Sequence, residues 1–134
     1  MPARNQPVTP PAMRIRIGTS AAALNGPWKF TIGDSPIDPA TGRPLWAEPG
    51  FDDSGWETID LTPKAIAIDP TSGWTGYVPG WTAKGHPGYW GYAWYRIHVQ
   101  QEEFQGEEPE ALAIWDVDDA YQFFADGALI GTFG

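Results

Sequence analysis

The chain has no cysteine. Disulfides, thiolate nucleophiles and zinc sites built on Cys are therefore excluded, while the compartment stays open. Histidine is scarce. His86 and His98 are too few and too far apart to suggest a metal cluster. Basic residues are outnumbered, with eight Lys and Arg against 17 Asp and Glu, for a net charge of −9. That balance argues against nucleic acid as a partner, because phosphates need a basic patch. No apolar run reaches 18 residues, so no membrane segment is expected. The first 18 residues, MPARNQPVTPPAMRIRIG, lack the apolar core of a signal peptide, so none is expected in this chain. There is no internal repeat and no long amphipathic helical pattern. No Ser-His-Asp order, phosphate-cradling glycine loop or HExxH stretch occurs.

What remains is rich in ring and turn residues. Sixteen Gly, 14 Pro and eight Trp in 134 residues point to an all-β domain with long structured loops. The length suits one domain with one real core.

Residues 1–13 read as a flexible proline-rich arm and 14–134 as a single β-sandwich domain. Arg14 to Gly18 fits a short edge strand, with Ile15 and Ile17 alternating with arginines. Leu24-Asn25-Gly26-Pro27 is turn chemistry. It leads into Trp28-Lys29-Phe30-Thr31-Ile32, whose apolar residues fall at every second position, as in a half-buried strand. Gly33 to Gly50 is a loop with four prolines, and Phe51 to Trp56 a tight turn pinned by its two end rings. Glu57 to Leu61 predicts a strand with Ile59 and Leu61 on one face. Residues 62–92 form a long aromatic loop, which in a compact domain must be functional or self-packed. Ala93 to Gln100 is the clearest strand, with Tyr95, Ile97 and Val99 on one side and Trp94, Arg96, His98 and Gln100 on the other. An acidic connector, Gln101 to Glu110, precedes strands at Ala111 to Val117 and Tyr121 to Phe124. Asp126-Gly127 is a hairpin turn, because both central positions of a type I′ turn need positive φ. Leu129-Ile130-Gly131 begins the return strand.

Five motifs then stand in order: Leu24 to Phe30, Phe51 to Trp56, Ala93 to Arg96, Val117-Asp118-Asp119-Ala120, and Asp126 to Gly131. Together they resemble the N-terminal sugar-binding domain of the family-two glycoside hydrolases (β-galactosidases, β-glucuronidases and β-mannosidases). The resemblance covers roughly residues 24–131. It implies a jelly-roll β-sandwich of the galactose-binding-like type. Such a sandwich would want two or three strands more than are visible. The chain is accordingly expected to be the N-terminal part of a larger glycoside hydrolase-type protein, or to complete its sheet with a second copy. The pattern also resembles extracytoplasmic modules of bacterial membrane signalling proteins, such as serine/threonine phosphatases. There the sandwich is a ligand-sensing or interaction module without sugar affinity. Both settings favour an extracytoplasmic location.

The resemblance departs where catalysis is concerned. The β-galactosidase domain lends an Asn from its aromatic loop to the active-site edge, whereas the only asparagines here are Asn5 and Asn25. The catalytic glutamates of that family sit on a separate barrel. No catalytic residue is therefore carried over, and the chain alone is expected not to be an enzyme.

Candidate binding residues follow from the loop. Gly76 to Arg96 holds seven Trp and Tyr residues among five glycines and two prolines. Trp74, Trp81, Tyr89 and Trp90 can present ring faces to the apolar face of a sugar, with His86 bonding a hydroxyl. The alternative is a loop that folds back and caps the sandwich, leaving one or two rings for a ligand. Arg96 can clamp a ligand carboxylate. It can equally stack on aromatic rings and pair with an internal Asp52, Asp53 or Asp118. Asp116, Asp118 and Asp119 are a weak candidate for paired-carboxylate chemistry. Asp52, Asp53, Asp118 and Asp119 form an oxygen-rich pool that would suit a structural calcium ion, as related sandwiches often hold, or would serve as turn caps. The expected function is a non-catalytic carbohydrate-binding-like module, with a glycan or other small polar ligand and a downstream domain or second copy as partners.

Overall fold

A computed structural model describes residues 12–15, 23–63, 78–101 and 120–133. Among them the regular structure is β-strand, apart from two single 3-10 turns at Leu45–Ala47 and Trp81–Ala83, and the fold class is all-β. The described strands are β1 (Met13–Ile15), β2 (Trp28–Ile32), β3 (Glu57–Ile59), β4 (Ala93–Arg96), β5 (Val99–Gln101), β6 (Tyr121–Ala125) and β7 (Ala128–Phe133). They form three sheets, ordered β1-β5, β3-β2-β4 and β6-β7. Among the described residues no helix is long and apolar enough to cross a membrane. Most of the arm at 1–13 and the strand expected at Ala111 to Val117 lie outside the described residues.

The chain divides into two compact units. One comprises Met1–Trp28, Ile59–Val78 and Ile97–Gln105. In it β1 runs parallel to β5, with Met13 opposite Val99 and Ile15 opposite Gln101. The Met13 N–H donates to the His98 carbonyl at 2.7 Å. The Trp28 indole N–H closes the preceding turn onto the Leu24 carbonyl at 2.9 Å. β3 ends at Ile59, two residues before the expected end, and the Leu61 N–H donates to the Asn25 carbonyl at 2.9 Å.

The other unit comprises Lys29–Thr58, Pro79–Arg96 and Gly106–Gly134. Here β2 and β4 pair antiparallel, placing Phe30 directly opposite Tyr95 and Thr31 opposite Trp94. Opposed residues share a face. The Phe30 and Tyr95 rings accordingly meet at 4.9 Å, and Phe30 is 1% exposed. The other face of β4 is also covered. Trp94 packs edge-on against Trp46 at 5.9 Å and stacks on Phe124 of β6 at 5.5 Å.

The strand expected over Ala93 to Gln100 is two strands. Arg96 is the last residue opposite β2, and Val99 is the first opposite β1. Ile97 and His98 carry the chain from an antiparallel to a parallel partner, so a single ladder cannot continue through them. The hairpin forms at Asp126-Gly127, with φ of 50° and 84°, the two positive values a type I′ turn requires. The register shifts between Phe123 and Phe124, where β7 carries Ile130 as the extra residue of a bulge, and the ladder then runs to Tyr121 opposite Phe133.

The proline loop after β2 folds on itself. Ile37 bridges Pro44, and the Asp38 N–H donates to the Arg43 carbonyl at 2.8 Å. Buried Ser35 accepts from the Trp46 N–H at 3.0 Å and donates to the Pro36 carbonyl at 2.7 Å. This clasp holds Trp46 among Phe51, Trp56 and Trp94, at ring separations of 6.5, 5.1 and 5.9 Å.

Candidate functional site

Arg96 ends β4 and points into the loops that follow β2. Its Nε donates to Asp53 Oδ2 at 2.9 Å. One terminal nitrogen donates to the Trp46 carbonyl and, at 3.1 Å, to the Glu48 carbonyl. The other reaches the Phe51 carbonyl at 3.4 Å, and the guanidinium lies over the Phe51 ring at 5.3 Å. Both partners of the ion pair are buried. A guanidinium with these donors engaged has no fork left to receive a ligand carboxylate. Of the two described aspartates expected as partners of Arg96, Asp53 is bonded to it and Asp52 is not; Asp118 lies outside the described residues.

The aromatic segment is anchored ring by ring. Trp81 opens a 3-10 turn and stacks on Phe30 at 6.5 Å. Its indole N–H donates to the Tyr89 carbonyl at 3.2 Å, and its ring meets Tyr89 edge-on at 6.2 Å. The Tyr89 hydroxyl accepts from the Gly33 N–H at 3.1 Å and donates to the Tyr92 carbonyl at 2.6 Å. The Gly33 N–H also reaches the Tyr92 carbonyl at 2.7 Å. This crossing needs Gly91: with φ at 143°, a Cβ there would stand 2.9 Å from the Tyr89 hydroxyl oxygen. His86 lies against Phe30 at 5.4 Å, and its Nε2 is 2.7 Å from Glu57 Oε2 on β3.

Trp90 is in a different position. It is 88% exposed, and Tyr92 beside it is 69% exposed. The segment therefore divides. Trp81, His86 and Tyr89 secure it to β2 and β3, while Trp90 and Tyr92 face solvent. Trp74 lies outside the described residues.

Asp52 and Asp53 engage different partners. Asp53 faces Arg96, whereas Asp52 Oδ1 accepts from the Ser54 N–H at 3.0 Å, the turn-capping role open to any short carboxylate. The Asp52 carboxyl is held below its ordinary range by its side-chain hydrogen bond with Ser54, then by the Ser54 N–H. Asp116, Asp118 and Asp119 lie outside the described residues. Among the described residues no group of three or more His, Asp or Glu side chains is placed to hold a metal ion.

Two participants are not among the residues that the sequence singles out. Tyr92 falls at the end of the long loop, close to the candidate Trp90 but not itself singled out. Glu57, the partner of His86 from 29 residues away, leaves no local signal. No family model, curated protein or solved structure matches this chain.

Proposed function

We propose that this chain is a non-catalytic binding module of the carbohydrate-binding-like kind, resembling the jelly-roll sugar-binding domain of family-two glycoside hydrolases, with Trp90 and Tyr92 as its ligand-facing rings. One observation carries the reading: two neighbouring aromatic side chains stay in solvent on a segment where Trp81, His86 and Tyr89 are anchored. A pinned backbone presents its exposed rings without a large ordering penalty on binding, which suits stacking against the apolar face of a sugar.

Titration with a panel of mono- and oligosaccharides, followed by tryptophan fluorescence, tests the proposal. The expected result is a saturable shift that Trp90→Ala abolishes. A spectrum unmoved by saturating sugars would sink it and leave the sensing or interaction role, for which a partner domain would be the ligand.

A further inference from the structure

The charges around these rings narrow the ligand class, given the binding reading above. Gly85 to Tyr95 contains no Lys, Arg, Asp or Glu. Two carboxylates border the segment. Asp34 follows Gly33, the residue bonded to Tyr92, and its Oδ1 accepts from the Trp94 indole at 3.4 Å. Glu57 meets His86, and its own side chain is 53% exposed. Among the described residues, two nearby cations already have partners. Arg96 is buried against Asp53, and Lys29 Nζ donates to Thr58 Oγ1 at 3.4 Å. Lys84, the one Lys or Arg between Pro79 and Tyr92, is half-buried. Among the described residues of this unit, seven Asp and Glu stand against four Lys and Arg.

We infer that the Trp90–Tyr92 surface accepts uncharged polar ligands, neutral sugars foremost, and rejects anionic ones such as uronic-acid or sulfated glycans. A carboxylate or sulfate needs a guanidinium or ammonium to replace its water. The one guanidinium close in sequence, Arg96, is committed to Asp53. The ring faces themselves are negative at their centres, so they do not substitute for a cation.

Quenching of Trp90 by iodide reads the local potential with no sugar present. The signal is the difference between the full chain and its Trp90→Phe variant. Raising salt from about 0.01 M to about 1 M shrinks the Debye length from about 30 Å to about 3 Å. Iodide quenching of Trp90 should then rise by about twofold or more as repulsion is screened. Asp34→Asn with Glu57→Gln should raise it already at low salt. Iodide quenching that stays level or falls with salt, or that ignores the double substitution, overturns the assignment. A matched pair of ligands separates the two claims. If a uronic acid glycoside binds as tightly as its neutral counterpart, this inference fails and the sugar reading survives. If neither binds while iodide behaves as expected, the sugar reading fails and the charge assignment stands.

Discussion

Nε of Arg96 lies 2.9 Å from Oδ2 of Asp53, with the two side chains only 9% and 7% exposed. The pair joins the end of β4 to a loop 43 residues earlier. The same guanidinium takes up the carbonyls of Trp46, Glu48 and Phe51. It therefore organises the path that holds Trp46 and Phe51 in their aromatic cluster.

Asp53→Ala leaves that guanidinium buried without its counter-charge. Breaking a buried pair by removing one partner typically costs about 3 to 5 kcal/mol. Urea denaturation should show a loss of that order. Replacing both residues with apolar ones should not restore stability, because the three loop carbonyls would still lack their donor. A double variant as stable as the native chain would contradict this account.

Burial pushes the Tyr95 hydroxyl above its ordinary value of 10.0. The unfolded chain then releases this proton at a lower pH than the folded one. Stability from this group is complete below pH 10 and declines as pH rises through the folded value. Denaturation midpoints should fall above pH 10, and tyrosinate absorbance should show one residue titrating late. Tyr95→Phe should remove the late-titrating signal and flatten the alkaline decline.

Gly91→Ala tests the crossing under the exposed rings. The added methyl would press on the Tyr89 hydroxyl, and φ of 143° strains any side chain. Loss of the hydroxyl bonds to Gly33 and Tyr92 should destabilise the unit by about 1 to 3 kcal/mol. Amide exchange at Gly33, whose N–H meets both the Tyr89 hydroxyl and the Tyr92 carbonyl, should quicken. Unchanged exchange there would mean that the segment holds without Tyr89.

Part of this architecture is legible in local sequence pattern. Alternation places β2 at Trp28 to Ile32, and Asp126-Gly127 places the last hairpin, because strand periodicity and turn φ values are carried by neighbouring residues. The break after Arg96 is not legible. Ala93 to Gln100 alternates throughout, and only the change of partner from β2 to β1 interrupts it. Arg96 itself marks the limit of side assignment. Strand period puts it on a polar side, yet that side is covered by the Trp46 loop, which sequence spacing cannot position. The division of Trp81 from Trp90 is hidden for the same reason. Both are loop tryptophans beside glycine, and it is the approach of Phe30 and Tyr89 to one of them that makes it scaffold.

That division is testable by stability alone. Trp81 stacks on Phe30, meets Tyr89 edge-on and donates to the Tyr89 carbonyl, so Trp81→Ala removes packing and a bond together. Truncating a packed Trp typically costs about 3 to 5 kcal/mol. Half-burial of Trp81 puts the expectation at the lower end, about 3 kcal/mol. Trp90, at 88% exposed, has little packing to lose, and Trp90→Ala should stay within about 0.5 kcal/mol of the native chain. Both values come from the same urea denaturation series. If Trp90→Ala is as destabilising as Trp81→Ala, the Trp90 ring is structural, and the exposed pair no longer supports a binding surface. If the two differ as expected, a sugar effect lost in Trp90→Ala can be assigned to contact with the ligand, because the fold that carries the ring is intact.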